Sequence, residues 1–199
     1  MTKYFSLSLE KIGKDWGGHI VAALVYIIIL AALGATWIGN ILAGCFTLGY
    51  FNFLAKKFNN EPAEIADLFI AFKRTELVLP SILACVVMEI IIVLGFICLI
   101  IPGIMAAAAF MFTYLIMLDG EKDFWAAMMK SKDIVAKDWF QYCVFAILVA
   151  IISALGGIVV VGILVTIPIG LGAVVLAYND TKVVHAVPVE KPAENPIIS

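Results

Sequence analysis

Three long apolar runs order the chain, over residues 19–55, 77–118 and 139–178, and they hold 37, 42 and 40 residues. An apolar helix crosses a hydrocarbon core of about 30 Å in roughly 20 residues, so each run holds two crossings and little more. The pattern predicts an all-α integral membrane protein with six transmembrane helices in three hairpins. Turn formers stand near the midpoints of the runs, at Trp37, Ile97 and Val159. They are Gly34, Gly39 and Asn40 in the first run, Gly95, Pro102 and Gly103 in the second, and Gly156, Gly157 and Gly162 in the third.

Before each run the pattern changes from continuous to periodic. Asn60 is placed to cap a helix and Pro62 suits a first turn, after which Ile65, Leu68, Phe69 and Phe72 recur at i, i+3, i+4 and i+7. Phe124, Trp125, Met128, Met129 and Val135 share one helical face, with Lys130, Asp133 and Lys137 on the other. Phe5, Leu9, Ile12 and Trp16 form a weaker version, loosened by Gly13, Gly17 and Gly18. All three read as amphipathic helices lying in the cytoplasmic membrane interface, one ahead of each hairpin.

The registers of the three units coincide. Lys14-Asp15-Trp16 opens the first hairpin, Lys137-Asp138-Trp139 the third, and Arg74-Thr75-Glu76 lies midway. Tyr50, Tyr114 and Tyr178 follow one another at intervals of 64, and Pro102 and Pro168 stand 66 apart. These spacings predict a threefold internal repeat of about 60–64 residues, with copies near 1–60, 61–120 and 121–180. The copies form a single transmembrane domain. The remaining stretch, 181–199, carries Pro188, Pro192 and Pro196 among polar residues and reads as a disordered cytoplasmic tail.

Composition agrees with burial in lipid. Hydrophobic residues make up 64% and charged residues 14%, against roughly 45–50% and 25% in soluble domains. The net charge of −2 gives no sign of a nucleic-acid partner. The thirteen Lys and Arg residues all lie outside the expected hairpin turns, which by the positive-inside rule puts both termini in the cytoplasm of a multi-pass cell (inner) membrane protein. Trp37 at one turn, and Trp16, Trp125 and Trp139 on the basic side, suit interfacial anchors. The cysteines, Cys45, Cys85, Cys98 and Cys143, fall inside apolar runs without C-x-x-C spacing and read as small hydrophobes. The first run is followed directly by a second, so no cleaved leader is expected at Ala32-Leu33-Gly34-Ala35.

Glu89 is the sharpest chemical feature. It stands at mid-run within Val86-Val87-Met88-Glu89-Ile90-Ile91-Ile92, where a charge costs at least about 2.5–3.5 kcal/mol. With no Lys or Arg at that depth, it is either a proton- or cation-coupled site or basic-partner contact, or a neutral acid bonded across helices to Tyr26, Thr47, Asn52, Tyr114 or Ser153. Glu89, Tyr114 and Asn52 thus form the candidate intramembrane polar site. Pro102-Gly103 and Pro168 with Gly170 are candidate helix breaks, as a binding site or as turns and kinks. The run from Ala106 to Ala109 lets helices approach closely. Lys73, Arg74, Lys130, Lys132 and Lys137 form a membrane-surface basic set expected to attract anionic lipid. His19 and His185 have no carboxylate at ligand spacing, no serine sits in a G-x-S-x-G setting, and no phosphate loop is present. No catalytic residue, metal or cofactor is therefore expected.

Three strings resemble a known family: EIADLFIAFKR from Glu64, ICLIIPGIMAAAAFMFTYLIMLDGEKDFWAAMMKSKDIV from Ile97, and IPIGLGAVVLAYND from Ile167. They are similar to YciC-like bacterial inner-membrane proteins and to the membrane domain attached to some glycerophosphodiester phosphodiesterases. Asp67-Leu68-Phe69 with Phe72, Pro102-Gly103, Ala126 with Ser131, Pro168, and Tyr178 with Asp180 carry the likeness, over about residues 60 to 180. The resemblance implies a six-helix family without an assigned activity. No phosphodiesterase domain accompanies these strings, so that activity does not carry over.

The sequence thus points to a non-enzymatic structural, lipid-organising or partner-supporting membrane component, with the lipid bilayer, anionic lipids and a protein partner or second copy as its contacts. The alternative is a small solute or lipid transporter or channel in which Glu89 couples protons or cations.

Overall fold

The computed structural model describes residues 2–13, 15–34, 37–158 and 160–186. Among the described residues there is no strand. The chain runs through α1 (Thr2–Gly13), α2 (Trp16–Gly34), α3 (Trp37–Phe58), a 3-10 turn (Ile65–Phe69) leading into α4 (Ile70–Lys73), α5 (Thr75–Cys98), α6 (Ile100–Ala109), α7 (Thr113–Leu118), α8 (Phe124–Lys137), α9 (Trp139–Ile158) and α10 (Val160–Ala186). The register marks read from the sequence fall on helix starts, since Trp16, Thr75 and Trp139 open α2, α5 and α9.

Among the described residues four stretches are long and apolar enough to cross a membrane: α2, α5, the consecutive α6 and α7 (Ile100–Leu118), and Leu164–Lys182 of α10. The pair of α8 and α9, bent by 108°, adds a fifth if it is one broken span. These helices mark a membrane-embedded protein. The count is below the six expected. The side chains of α3 and α9 are described only over 42–58 and 139–154, stretches shorter than a full crossing, so neither counts alone.

Helix α2 packs on α3, α5 on α6, and α9 on α10. Within these pairs, α3, α7 and α10 turn inward. Phe51 of α3 stacks on Tyr114 of α7 at 6.2 Å, Phe112 meets Tyr178 of α10 at 5.5 Å, and Tyr50 stacks on Tyr26 at 4.5 Å. Tyr50, Phe53, Phe112 and Met117 are fully buried, whereas Ile28 of α2, Val93 of α5 and Phe140 of α9 face outward.

The three segments expected to be amphipathic dock on these inner helices through backbone. Ser131 of α8 reaches the break between α6 and α7, donating its hydroxyl to the Ala109 carbonyl at 2.6 Å and accepting the Phe112 N–H at 3.2 Å. The break would otherwise leave both groups unpaired. The 3-10 turn lies so close to α3 that only a glycine fits beneath it, because a Cβ at Gly49 would run into the Leu68 carbonyl. Ser8 of α1 donates to the Ile169 carbonyl of α10 at 3.1 Å, and a Cβ at Gly172 would meet the Ser8 hydroxyl at 2.6 Å.

Burial departs from the expected stripes accordingly. Ser8 and Ile12 are buried on α1 while Leu9 is exposed. On α8, Ala127, Met128, Ser131 and Val135 are buried while Trp125 is exposed. In the middle segment Leu68 is buried, but Ile65, Phe69 and Phe72 stay about 40% exposed, the last two against the Phe46 ring. Asn60 does not start that segment. It takes φ +59° and closes α3, its N–H bonding the Lys57 carbonyl and the Glu61 N–H the Lys56 carbonyl. This is a Schellman cap. Gly120, at φ +114°, closes α7 the same way onto Met117 and Ile116.

The helix breaks are likewise redistributed. Leu99 is extended and separates α5 from α6, and Pro102 lies in the first turn of α6, where a missing N–H costs nothing. A Cβ on Gly95 would approach the Gly103 Cα to 2.9 Å, so paired glycines let α5 and α6 cross closely. Pro168 and Gly170 sit inside a continuous α10. The two prolines therefore do not occupy matching places. Helix α10 continues to Ala186, past the expected limit at 180; Gly156 and Gly157, expected at a turn, have helical backbone within α9, while the Trp37 side chain and 187–199 lie outside what is described.

Gly49→Ala is expected to destabilise the detergent-solubilised protein by about 3 kcal/mol through backbone collision. Gly170→Ala, whose nearest neighbours lie at 3.5 Å or more, should be neutral or mildly stabilising. Thermal melting of both variants checks the contrast.

Candidate functional site

The polar chemistry collects at one end of the helix array. Asp67 is a buried carboxylate with two tasks. Its Oδ2 accepts the Glu64 N–H at 2.9 Å, completing a capping box, and its Oδ1 accepts from Lys56 of α3 at 2.7 Å. Burial alone would raise its pKa, but the Lys56 ammonium, the Glu64 N–H and the field of Lys73 together hold it below the ordinary value of 3.8. Asp15 pairs with Lys57 and accepts the Gly18 N–H at 3.1 Å, and these two bonds lower its pKa as well. Lys11 caps the end of α3 by donating to the Phe58 carbonyl at 2.6 Å.

The remaining pairs link distant parts of the chain. Lys3 and Tyr4 of α1 both donate to Asp180 of α10 at 2.8 Å. Tyr178 donates to Asp119 at 2.7 Å, and Lys182 pairs with the same carboxylate. Lys122 bonds Glu76, and Lys130 bonds Glu121, each at 2.6 Å. Asp119 and Asp180 were not singled out by sequence reasoning as polar partners. The signals were the position of Asp119 just ahead of Gly120, where a helix must stop, and the place of Asp180 beside Tyr178 in the strings that carry the resemblance. A cavity of about 410 Å³ opens among them, lined by Asp119, Glu121, Lys130, Asp133, Lys137 and Tyr178.

Of the basic surface set, Lys130 is paired as above and Lys73 adds to the field at Asp67. Lys137 lines the cavity just described. Arg74 and Lys132 form no ion pair with the described residues. Lys132 instead stands on a separate apolar groove of about 330 Å³ between α5, α6, α8 and α9.

The intramembrane candidates do not converge on one site. Glu89 lies on the outward side of α5 beside exposed Ile90 and Val93. Its nearest polar contact is the Cys85 thiol one turn earlier, at 3.8 Å, and the buried Tyr114 adjoins that same thiol. None of the expected partners hydrogen-bonds the Glu89 carboxyl. Tyr26 instead bonds Thr47 at 3.0 Å, and Thr47 turns back to the Ala43 carbonyl at 2.9 Å. Asn52 lies on α3 with a buried amide nitrogen that no described group accepts. The interior space beside Tyr114, about 300 Å³, is lined by Phe51, Phe110, Met111, Val149 and Val174 and does not include Glu89.

Among the described residues no three His, Cys, Asp or Glu side chains are grouped to hold a metal ion. Comparison with family models, with curated proteins and with solved structures finds no match for the chain.

Because the folded-state pKa of Asp67 lies below its unfolded value, its contribution to stability is present above about pH 4 and lost as the pH falls through the folded value. Asp67→Asn should cost about 1–3 kcal/mol at neutral pH. The melting-temperature gap between it and wild type should close as the pH drops below about 4, as a pH series in one detergent would read.

Proposed function

We propose that the chain is a six-crossing membrane protein of three hairpins, with both termini and all three amphipathic segments on the cytoplasmic side of the cell (inner) membrane. In this reading it organises lipid or supports a partner at that surface and performs no reaction of its own. The observation that carries the reading is the division of labour along the helices. Ion pairs and docked segments gather at one end, while ring contacts join Phe51 of α3 to Tyr114 of α7, and Phe112 just ahead of α7 to Tyr178 of α10.

The threefold repeat belongs to this proposal. It is supported by the same C-terminal cap at Asn60 and Gly120, and by the rule that each amphipathic segment docks on an inner helix belonging to another unit. The resemblance to YciC-like proteins fits as well, since Asp67, Leu68 and Ser131 are docking residues.

Two measurements test the proposal. In a cysteine-free background, single cysteines at Trp37, Pro102 and Gly157 should react with an impermeant maleimide added to intact cells, while cysteines at Asn59 and Gly120 should react only after lysis. Proteoliposomes should show no proton or solute flux beyond protein-free vesicles. A flux abolished by Glu89→Gln would replace this reading with a transporter.

A further inference from the structure

The groove carrying Lys132 has walls of one character and a mouth of another. Ile91 of α5, Ala106 and Ala109 of α6, and Ala136 of α8 line it, and Trp139 stands at the corner where α8 turns into α9. The alanines leave about 330 Å³ unfilled, and the 108° bend between α8 and α9 keeps the two helices from closing over it. Lys132 is the only charged residue in the lining, and no carboxylate shares the groove. Its neighbours on the same surface are already matched, Lys130 by Glu121 and Lys122 by Glu76.

The geometry points to a binding site for one acyl chain of an anionic phospholipid, with its phosphate on Lys132. The inference rests on the membrane reading above. A soluble anion would satisfy the ammonium but leave the apolar walls bare. A lipid without net charge would fill the walls but leave the ammonium unmatched. An amphiphile with a negative head and an alkyl tail answers both, and an indole such as Trp139 favours the headgroup depth at which the two meet. The run Ala106–Ala109, expected only to let helices approach, here has two members that leave room for the tail.

The test uses Trp139 as the reporter in a Trp16→Phe, Trp37→Phe, Trp125→Phe background, in vesicles containing either phosphatidylglycerol or phosphatidylcholine with brominated acyl chains. At equal mole fraction, brominated phosphatidylglycerol should quench Trp139 with roughly fivefold higher apparent affinity, the effect of one added cationic contact. Lys132→Gln should remove that preference, Lys132→Arg should keep it, and Ala109→Phe should weaken quenching by both lipids. Lys73→Gln, which lowers the surface charge equally but lies outside the groove, should leave the preference intact.

Equal quenching by the two lipids in the starting protein would overturn the groove proposal while leaving the embedding in lipid standing. So would a preference lost equally with Lys73→Gln. No quenching by either lipid would overturn the groove and the membrane reading together.

Discussion

The structure depends on backbone contact between short segments at the basic end and the inner helices beneath them. Lipid tails are as apolar as leucine, so long apolar helices gain little from burying one another and must be held by close packing and hydrogen bonds. Ser131 and Ser8 supply such bonds to carbonyls of α6 and α10. Gly49 and Gly172 supply the room that makes the approach possible. Asp67 adds a buried ion pair to α3 at the point where the 3-10 turn leaves the Gly49 contact.

This arrangement leaves the helices with few polar residues, some of them satisfied locally. Thr47 and Ser81 return their hydroxyls to carbonyls within their own helices, and from there reach Tyr26 and Cys45 across a helix boundary. Glu89 is placed differently. It carries a carboxyl on an outward helix face without a cation, and its nearest contact is a thiol on its own helix.

Much of the helix order was legible because apolar length and basic charge are read directly from composition along the chain. The starts at Trp16, Thr75 and Trp139 followed from a change of residue type. The orientation of Glu89 was not legible, because a helix apolar all round gives no phase by which to tell its inward side. Asn60 misled for a related reason. Asparagine suits a helix start through its side chain and a helix end through its tolerance of positive φ, and only the backbone distinguishes the two. Leu99 carries no turn signal and is extended because Gly95 and Gly103 bring α5 and α6 together around it. The contact of Ser8 with Ile169 spans 161 positions and has no local signature at all.

That last contact bears on how the molecule is made. Helix α1 leaves the ribosome well ahead of α10, yet its seat at Ile169 and its carboxylate at Asp180 both lie on that later helix. Helix α1 must wait through the synthesis of everything between before it can dock, so this contact forms only after α10 has been made.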